Sequence, residues 1–102
     1  MRLQQLLLAV LVRGPSMVPT LRDGDALLVR RGGRVRPGQV VVGRFRSRPE
    51  LLVVKRAVRP EGDGWWLEGD NEFVTDDSRA FGVADVIGPA ILRYWPRPGR
   101  LR

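Results

Sequence analysis

The side chains able to do chemistry in this chain are few, and the shortage is informative. Its 102 residues contain neither histidine nor cysteine, which removes thiolate nucleophiles and any Ser-His-Asp arrangement. A protein-held zinc would need carboxylates alone, an unusual donor set for that metal, so no metal and no other cofactor is expected. What remains for nucleophilic catalysis is a serine or threonine hydroxyl, with a carboxylate, a lysine or the terminal amine as base. Arginine does not lose its proton in proteins. Of the 18 basic side chains only Lys55 is a lysine, so it alone among them could accept a proton.

Lys55 lies within Leu51-Leu52-Val53-Val54-Lys55-Arg56-Ala57-Val58. In an extended strand alternate side chains share a face, which sets Lys55 beside Val53 and Ala57 and turns Arg56 to the other side. Desolvation on such an apolar face lowers a lysine pKa by up to about 3–5 units, toward neutrality, where a general base works best. The same position also allows the ammonium to snorkel to water along its aliphatic stem, and the residue pattern leaves both readings open.

Ser16 is the matching candidate nucleophile. It stands in Gly14-Pro15-Ser16-Met17-Val18-Pro19-Thr20-Leu21, where two prolines stiffen the flanks and Gly14 permits a sharp turn. A rigid turn at a strand end can hold a hydroxyl and neighbouring amide N–H groups as an oxyanion hole requires. An ordinary turn serine capping residues 18–21 would look the same. A third segment, Gly69-Asp70-Asn71-Glu72-Phe73-Val74-Thr75-Asp76-Asp77-Ser78-Arg79-Ala80-Phe81-Gly82, is dense in short polar side chains that bond backbone amides. Its carboxylates do not follow the calcium-loop pattern, because neither the central glycine nor the closing glutamate falls in place.

The elements that must position these residues are short. Turn signals recur at Gly14-Pro15, Asp23-Gly24, Gly32-Gly33, Pro37-Gly38, residues 60–64, Gly88-Pro89 and Pro96. Between them lie runs rich in valine and leucine at 6–12, 26–30, 39–46, 51–58, 65–68 and 91–95. This spacing predicts a mostly β fold: one small domain of short antiparallel strands and tight turns. One helical turn is expected at 18–21 and a second helical piece within 76–85. The domain is expected to span 1–96, and residues 97–102, with two prolines and a glycine, to form a loose tail.

Taken together, the Ser16 segment, Val54-Lys55-Arg56 and the run from Gly69 to Gly82 resemble, in order and approximate spacing, the three conserved boxes of the type I signal peptidases. The resemblance covers about residues 10–95. It implies a signal-peptidase or LexA-like β fold, a dyad of Ser16 and Lys55, and a third-box hydroxyl, Thr75, that orients the lysine. It also implies charge pairs Arg56–Asp70 and Asp77–Arg79 bracing the site. The Ser16 N–H would be one oxyanion donor, whereas the serine some members carry two residues earlier is Gly14 here. The implied reaction is removal of an N-terminal leader from a precursor protein bound as an extended peptide. Together with Val35-Arg36-Pro37-Gly38-Gln39-Val40-Val41-Val42, the short form is similar to the subgroup that matures nickel-type superoxide dismutase, which would make that precursor the partner.

Two rival readings are a LexA-like self-cleaving regulator and an inactive basic module that binds anionic lipid or nucleic acid. The net charge is +7, and residues 26–49 hold seven arginines and no acid. Such a stripe could touch an anionic membrane surface. Only Phe45 interleaves with it, a poor platform for stacking bases, so no nucleic acid is expected. The longest apolar run, residues 6–12, falls well short of the roughly 20 residues a membrane span needs. The expected location is cytoplasmic or peripheral to a membrane, with no transmembrane segment in residues 1–102.

Overall fold

Valine- and leucine-rich runs between glycine and proline turns become the strands of an antiparallel sheet. The computed structural model describes residues 6–101; the first five residues of the expected domain and Arg102 of the expected tail lie outside them. The strands are β1 (Leu7–Leu11), β2 (Ala26–Arg30), β3 (Val40–Phe45), β4 (Arg48–Glu61), β5 (Gly64–Glu68), β6 (Ala84–Trp95) and β7 (Gly99–Arg100), with one helical element, α1 (Ser78–Phe81). Their spatial order is β1-β2-β6-β3-β4-β5, β7 lies on β6, and β5 touches β6 at Trp65↔Ala84. The fold is mostly β, as the sequence predicts. Among the described residues no helix is long and apolar enough to cross a membrane.

Successive side chains of the central strands point to opposite faces, and both faces are covered. Val40, Val42 and Val54 pack with Met17, Leu21, Leu27 and Val29 in one cluster. Val41, Phe45, Ala57, Leu67 and Ala84 form the other, with Val53 and Phe81 against it. Val41 lies opposite Lys55 in the β3–β4 ladder. The lysine therefore enters the second face between Val53 and Ala57.

The β6 strand departs from the sequence expectation. Gly88-Pro89 reads as a turn, with a strand only from residue 91. Instead β6 runs unbroken from Ala84, pairing first with β3 as far as Val41↔Pro89 and then with β2 from Val29↔Ala90. A side chain at position 88 would begin 1.8 Å from the Arg30 carbonyl oxygen. The glycine thus marks a close backbone approach at an irregular register, not a chain reversal.

The helical piece expected within 76–85 is α1, which Asp77 caps by accepting from the Arg79 N–H and Gly82 closes at φ 81°. One further expectation needs correction. The stretch expected as a loose tail from residue 97 turns back instead. Gly99–Arg100 pairs with Arg93 and Leu92 of β6, Arg93 Nε donates to the Arg97 carbonyl, and Leu101 packs on the first cluster. An available edge of β6 and an apolar anchor give those residues a place to dock.

Candidate active site

The Ser16 turn is held from three directions. From below, the Val12 N–H donates to the Asp25 carbonyl and the Gly24 N–H to the Val12 carbonyl, both at 2.8 Å. The Gly14 N–H meets Asp23 Oδ1 at 2.7 Å, with Gly14 at φ 80°, a conformation that favours glycine. Within the turn, the Leu21 N–H donates to the Met17 carbonyl at 2.9 Å, and both side chains are fully buried. The helical turn expected at 18–21 is instead a non-helical turn, with the Val18–Pro19 peptide cis. From the third side, the Asn71 N–H donates to the Ser16 carbonyl at 2.9 Å and Asn71 Nδ2 to the Pro15 carbonyl at 3.0 Å.

Lys55 is 5% exposed. Burial lowers its pKa below the ordinary lysine value, the charges of Asp77 and Asp76 push it back up, and that of Arg79 lowers it further. Among the described residues no hydrogen bond or ion pair engages its ammonium. Such a group is disfavoured in its charged form.

Ser16 and Lys55 line the same cleft, about 330 Å³ in volume. Arg13, Gly14 and Pro15 continue the Ser16 wall, and Phe45, Leu51, Val53 and Phe81 supply an apolar lining. Phe45 and Phe81 rings stack at a tilt with centroids 5.4 Å apart, and the exposed Arg48 guanidinium sits 5.0 Å over Phe81. The lysine thus enters a cleft whose wall around it is largely apolar.

Thr75 lies between two residues that line this cleft, Val74 and Asp76. It is itself exposed; its carbonyl accepts from the Asp77 N–H at 2.9 Å, and no hydrogen bond joins its hydroxyl to Lys55 among the described residues. Arg56 and Asp70 form a two-pronged pair, Nε–Oδ1 3.1 Å and Nη2–Oδ2 2.5 Å, and Arg56 Nη1 donates to the Gly38 carbonyl at 2.9 Å. Asp77 is fully buried and takes Arg79 in the same way, at 2.9 and 2.6 Å, while accepting from the Gly69 N–H at 2.8 Å. Burial pushes both carboxyls up, yet the hydrogen bonds and arginine charges prevail and leave each below its ordinary value. Neither pair touches Ser16; both fix the segment that grips it.

Four contributors escape a reading of the sequence. Gly69 admits the Ser16 backbone, since a Cβ there would fall 2.6 Å from the Ser16 carbonyl oxygen. Asn71 clamps the turn, Thr20 Oγ1 donates to Asp70 Oδ2, and the buried Ser78 Oγ accepts from the Leu67 N–H at 2.8 Å. Their polar character is visible in the sequence, but their partners lie up to 56 positions away in the chain.

The profile of the Peptidase S24-like family matches residues 2–91. The chain is 34% identical over 115 residues to the mitochondrial ATP-independent inner membrane protease subunit 1a of Arabidopsis thaliana, covering 83% of this chain and 68% of that protein. It is 32% identical over 114 residues to the mitochondrial inner membrane protease subunit 1 of Xenopus tropicalis, covering 85% and 68%. The corresponding Homo sapiens subunit is 27% identical, covering 85% of this chain and 69% of its own length.

Proposed function

We propose that this chain, which belongs to the Peptidase S24-like family, removes a leader or signal peptide from a precursor protein with Ser16 as nucleophile and Lys55 as general base. The observation that carries the reading is the shared cleft of Ser16 and Lys55, in which the lysine is buried without a partner carboxylate. The names of the relatives, protease subunits, point the same way.

In this mechanism neutral Lys55 accepts the Ser16 Oγ proton through Nζ as Oγ attacks the scissile carbonyl carbon. The tetrahedral oxyanion takes a hydrogen bond from the Ser16 N–H. As the intermediate collapses, Lys55 returns the proton to the departing amine nitrogen, leaving an acyl ester on Ser16. Water, deprotonated in turn by Lys55, hydrolyses the ester. Thr75, between two cleft residues, orients the lysine as substrate closes the site. Arg56, Asp70, Asp77 and Arg79 act as braces.

The substrate lies extended along β4. The pairing with β5 begins only at Arg56↔Glu68, so the part of β4 that carries Leu51, Val53 and Lys55 offers a strand edge beside the cleft. The resemblance of residues 14–21 and 35–42 to the subgroup that matures nickel-type superoxide dismutase makes that dismutase's precursor the substrate proposed. Incubating purified chain with that precursor, and with a panel of leader peptides, should yield a single new N-terminus by mass spectrometry. Ser16→Ala and Lys55→Met should each abolish it with the fold intact. Undiminished cleavage by either variant would refute the dyad, and cleavage of other leaders only would remove the dismutase assignment.

A further inference from the structure

Among the described residues Arg46, Arg48, Arg56, Arg59, Arg79 and Arg93 each face a carboxylate. The other described arginines do not, and four of these are gathered in one place. Arg30, Arg31, Arg34 and Arg36 line one cleft of about 460 Å³, to which no acidic residue contributes. Among the described residues none of the four has an ion pair or a side-chain hydrogen bond.

The backbone carrying them is fixed. The Arg31 N–H donates to the Leu6 carbonyl at 2.7 Å, the Gly32 N–H to the Ile87 carbonyl at 2.8 Å, and the Gly33 N–H to the Arg30 carbonyl at 3.2 Å. The Arg36 N–H meets Gln39 Oε1 at 2.8 Å. The Arg30 stem lies against Gly33, whose ideal Cβ would sit 3.2 Å from its Cγ and Cδ and 3.1 Å from Pro89. The unbroken passage of β6 through Gly88-Pro89 therefore builds the floor beneath the arginines.

We propose that this arginine-lined cleft, between the end of β2 and the start of β3, binds clustered phosphate groups, carried either by a free anion or by a lipid headgroup. Four guanidiniums held together without counter-charge repel one another, and a multiply charged anion relieves that repulsion. The planar fork of arginine fits phosphate oxygens two at a time. No aromatic side chain lines the cleft, so nucleic-acid bases have nothing to stack on. In the β1–β2 ladder Leu7 pairs with Arg30 and Leu11 with Ala26. The arginines thus sit at the end of that pair remote from the Ser16 turn, and occupancy leaves the candidate catalytic cleft open.

The test uses the full chain in buffer of about 0.15 M ionic strength, where exposed charges beyond about 8 Å are screened. Pyrophosphate is titrated while the arginine Nε–H resonances are followed. Cosedimentation is measured with phosphatidylcholine vesicles, with and without phosphatidic acid. Arg31→Gln/Arg34→Gln is compared with Arg22→Gln/Arg44→Gln, which removes equal charge from exposed positions outside the cleft. The cleft variant should lose affinity about tenfold or more, as expected for charge-assisted hydrogen bonds, and the control less than about twofold. Pyrophosphate binding without vesicle binding assigns the site to a soluble anion, and the reverse assigns it to a headgroup. Equal loss in both variants, or no binding of either probe by the unaltered chain, overturns the proposal.

Discussion

The backbone N–H of Asn71 donates to the carbonyl oxygen of Ser16 at 2.9 Å. The bond fastens the polar segment after β5 directly to the turn that carries the candidate nucleophile. Gly69, two residues earlier, makes the approach possible, and the buried Asp77 fixes Gly69 through its N–H.

Gly69→Ala should therefore disable the enzyme more than it unfolds it. The added Cβ would meet the Ser16 carbonyl oxygen at 2.6 Å and displace the turn. A misplacement of about 1 Å can cost roughly a hundredfold in rate. Peptide-cleavage kinetics alongside thermal melting would check this, with kcat falling and Tm dropping only modestly.

Lys55→Met should raise Tm at neutral pH while abolishing cleavage. Burial holds the Lys55 pKa below the ordinary 10.5, so between its lowered value and 10.5 the unfolded chain binds more protons than the folded one. Stability of the unaltered protein must then rise with pH through that window, and the Met variant should lose the slope. For the same reason kcat/KM should show an acid limb with its midpoint below 10.5. Melting curves and rates across the alkaline range test both statements.

Asp70 and Asp77 are held below their ordinary 3.8 in the folded state. Their contribution is complete above that value and is lost as pH falls through it toward the lower folded values, where the unfolded chain takes up protons first. Acid titration of Tm should show this decline. Asp77→Ala, which strips the partner from the Gly69 N–H and from Arg79, should cost about 2 kcal/mol or more in urea denaturation and flatten the acid response.

Thr75→Ala should lower kcat about tenfold or more if its hydroxyl orients Lys55 once substrate is bound, within the range for a general-base contribution. Thr75→Ser should restore the rate, because it keeps the hydroxyl. Equal losses in both variants would assign the position to loop shape instead. Because Thr75 is exposed, neither change should move Tm by more than a degree or two.

The β6 strand can be examined by Gly88→Ala, whose Cβ would lie 1.8 Å from the Arg30 carbonyl oxygen. Backbone on both sides has no freedom to yield, so the variant should melt far below the unaltered chain. Gly62→Ala in the exposed β4–β5 turn meets no atom within 4 Å, and should show only the smaller penalty of its positive φ.

The sequence by itself determined the chemistry on offer. With no histidine or cysteine and one lysine, elimination led to Lys55, and strand alternation set it on the face of Val53 and Ala57. Turn spacing gave the small antiparallel β domain. These properties are local, following from side-chain type and the two-residue period of a strand. Tertiary structure decided what depends on contacts between distant segments. It buried Lys55, brought it into one cleft with Ser16, and joined Asn71 to Pro15 across 56 positions. It also ran β6 straight through Gly88-Pro89 and docked Gly99–Arg100 against β6. Glycine and proline read as turns when only neighbours are considered. Whether a glycine bends the chain or admits another backbone depends on what lies beside it, and at position 88 that is Arg30.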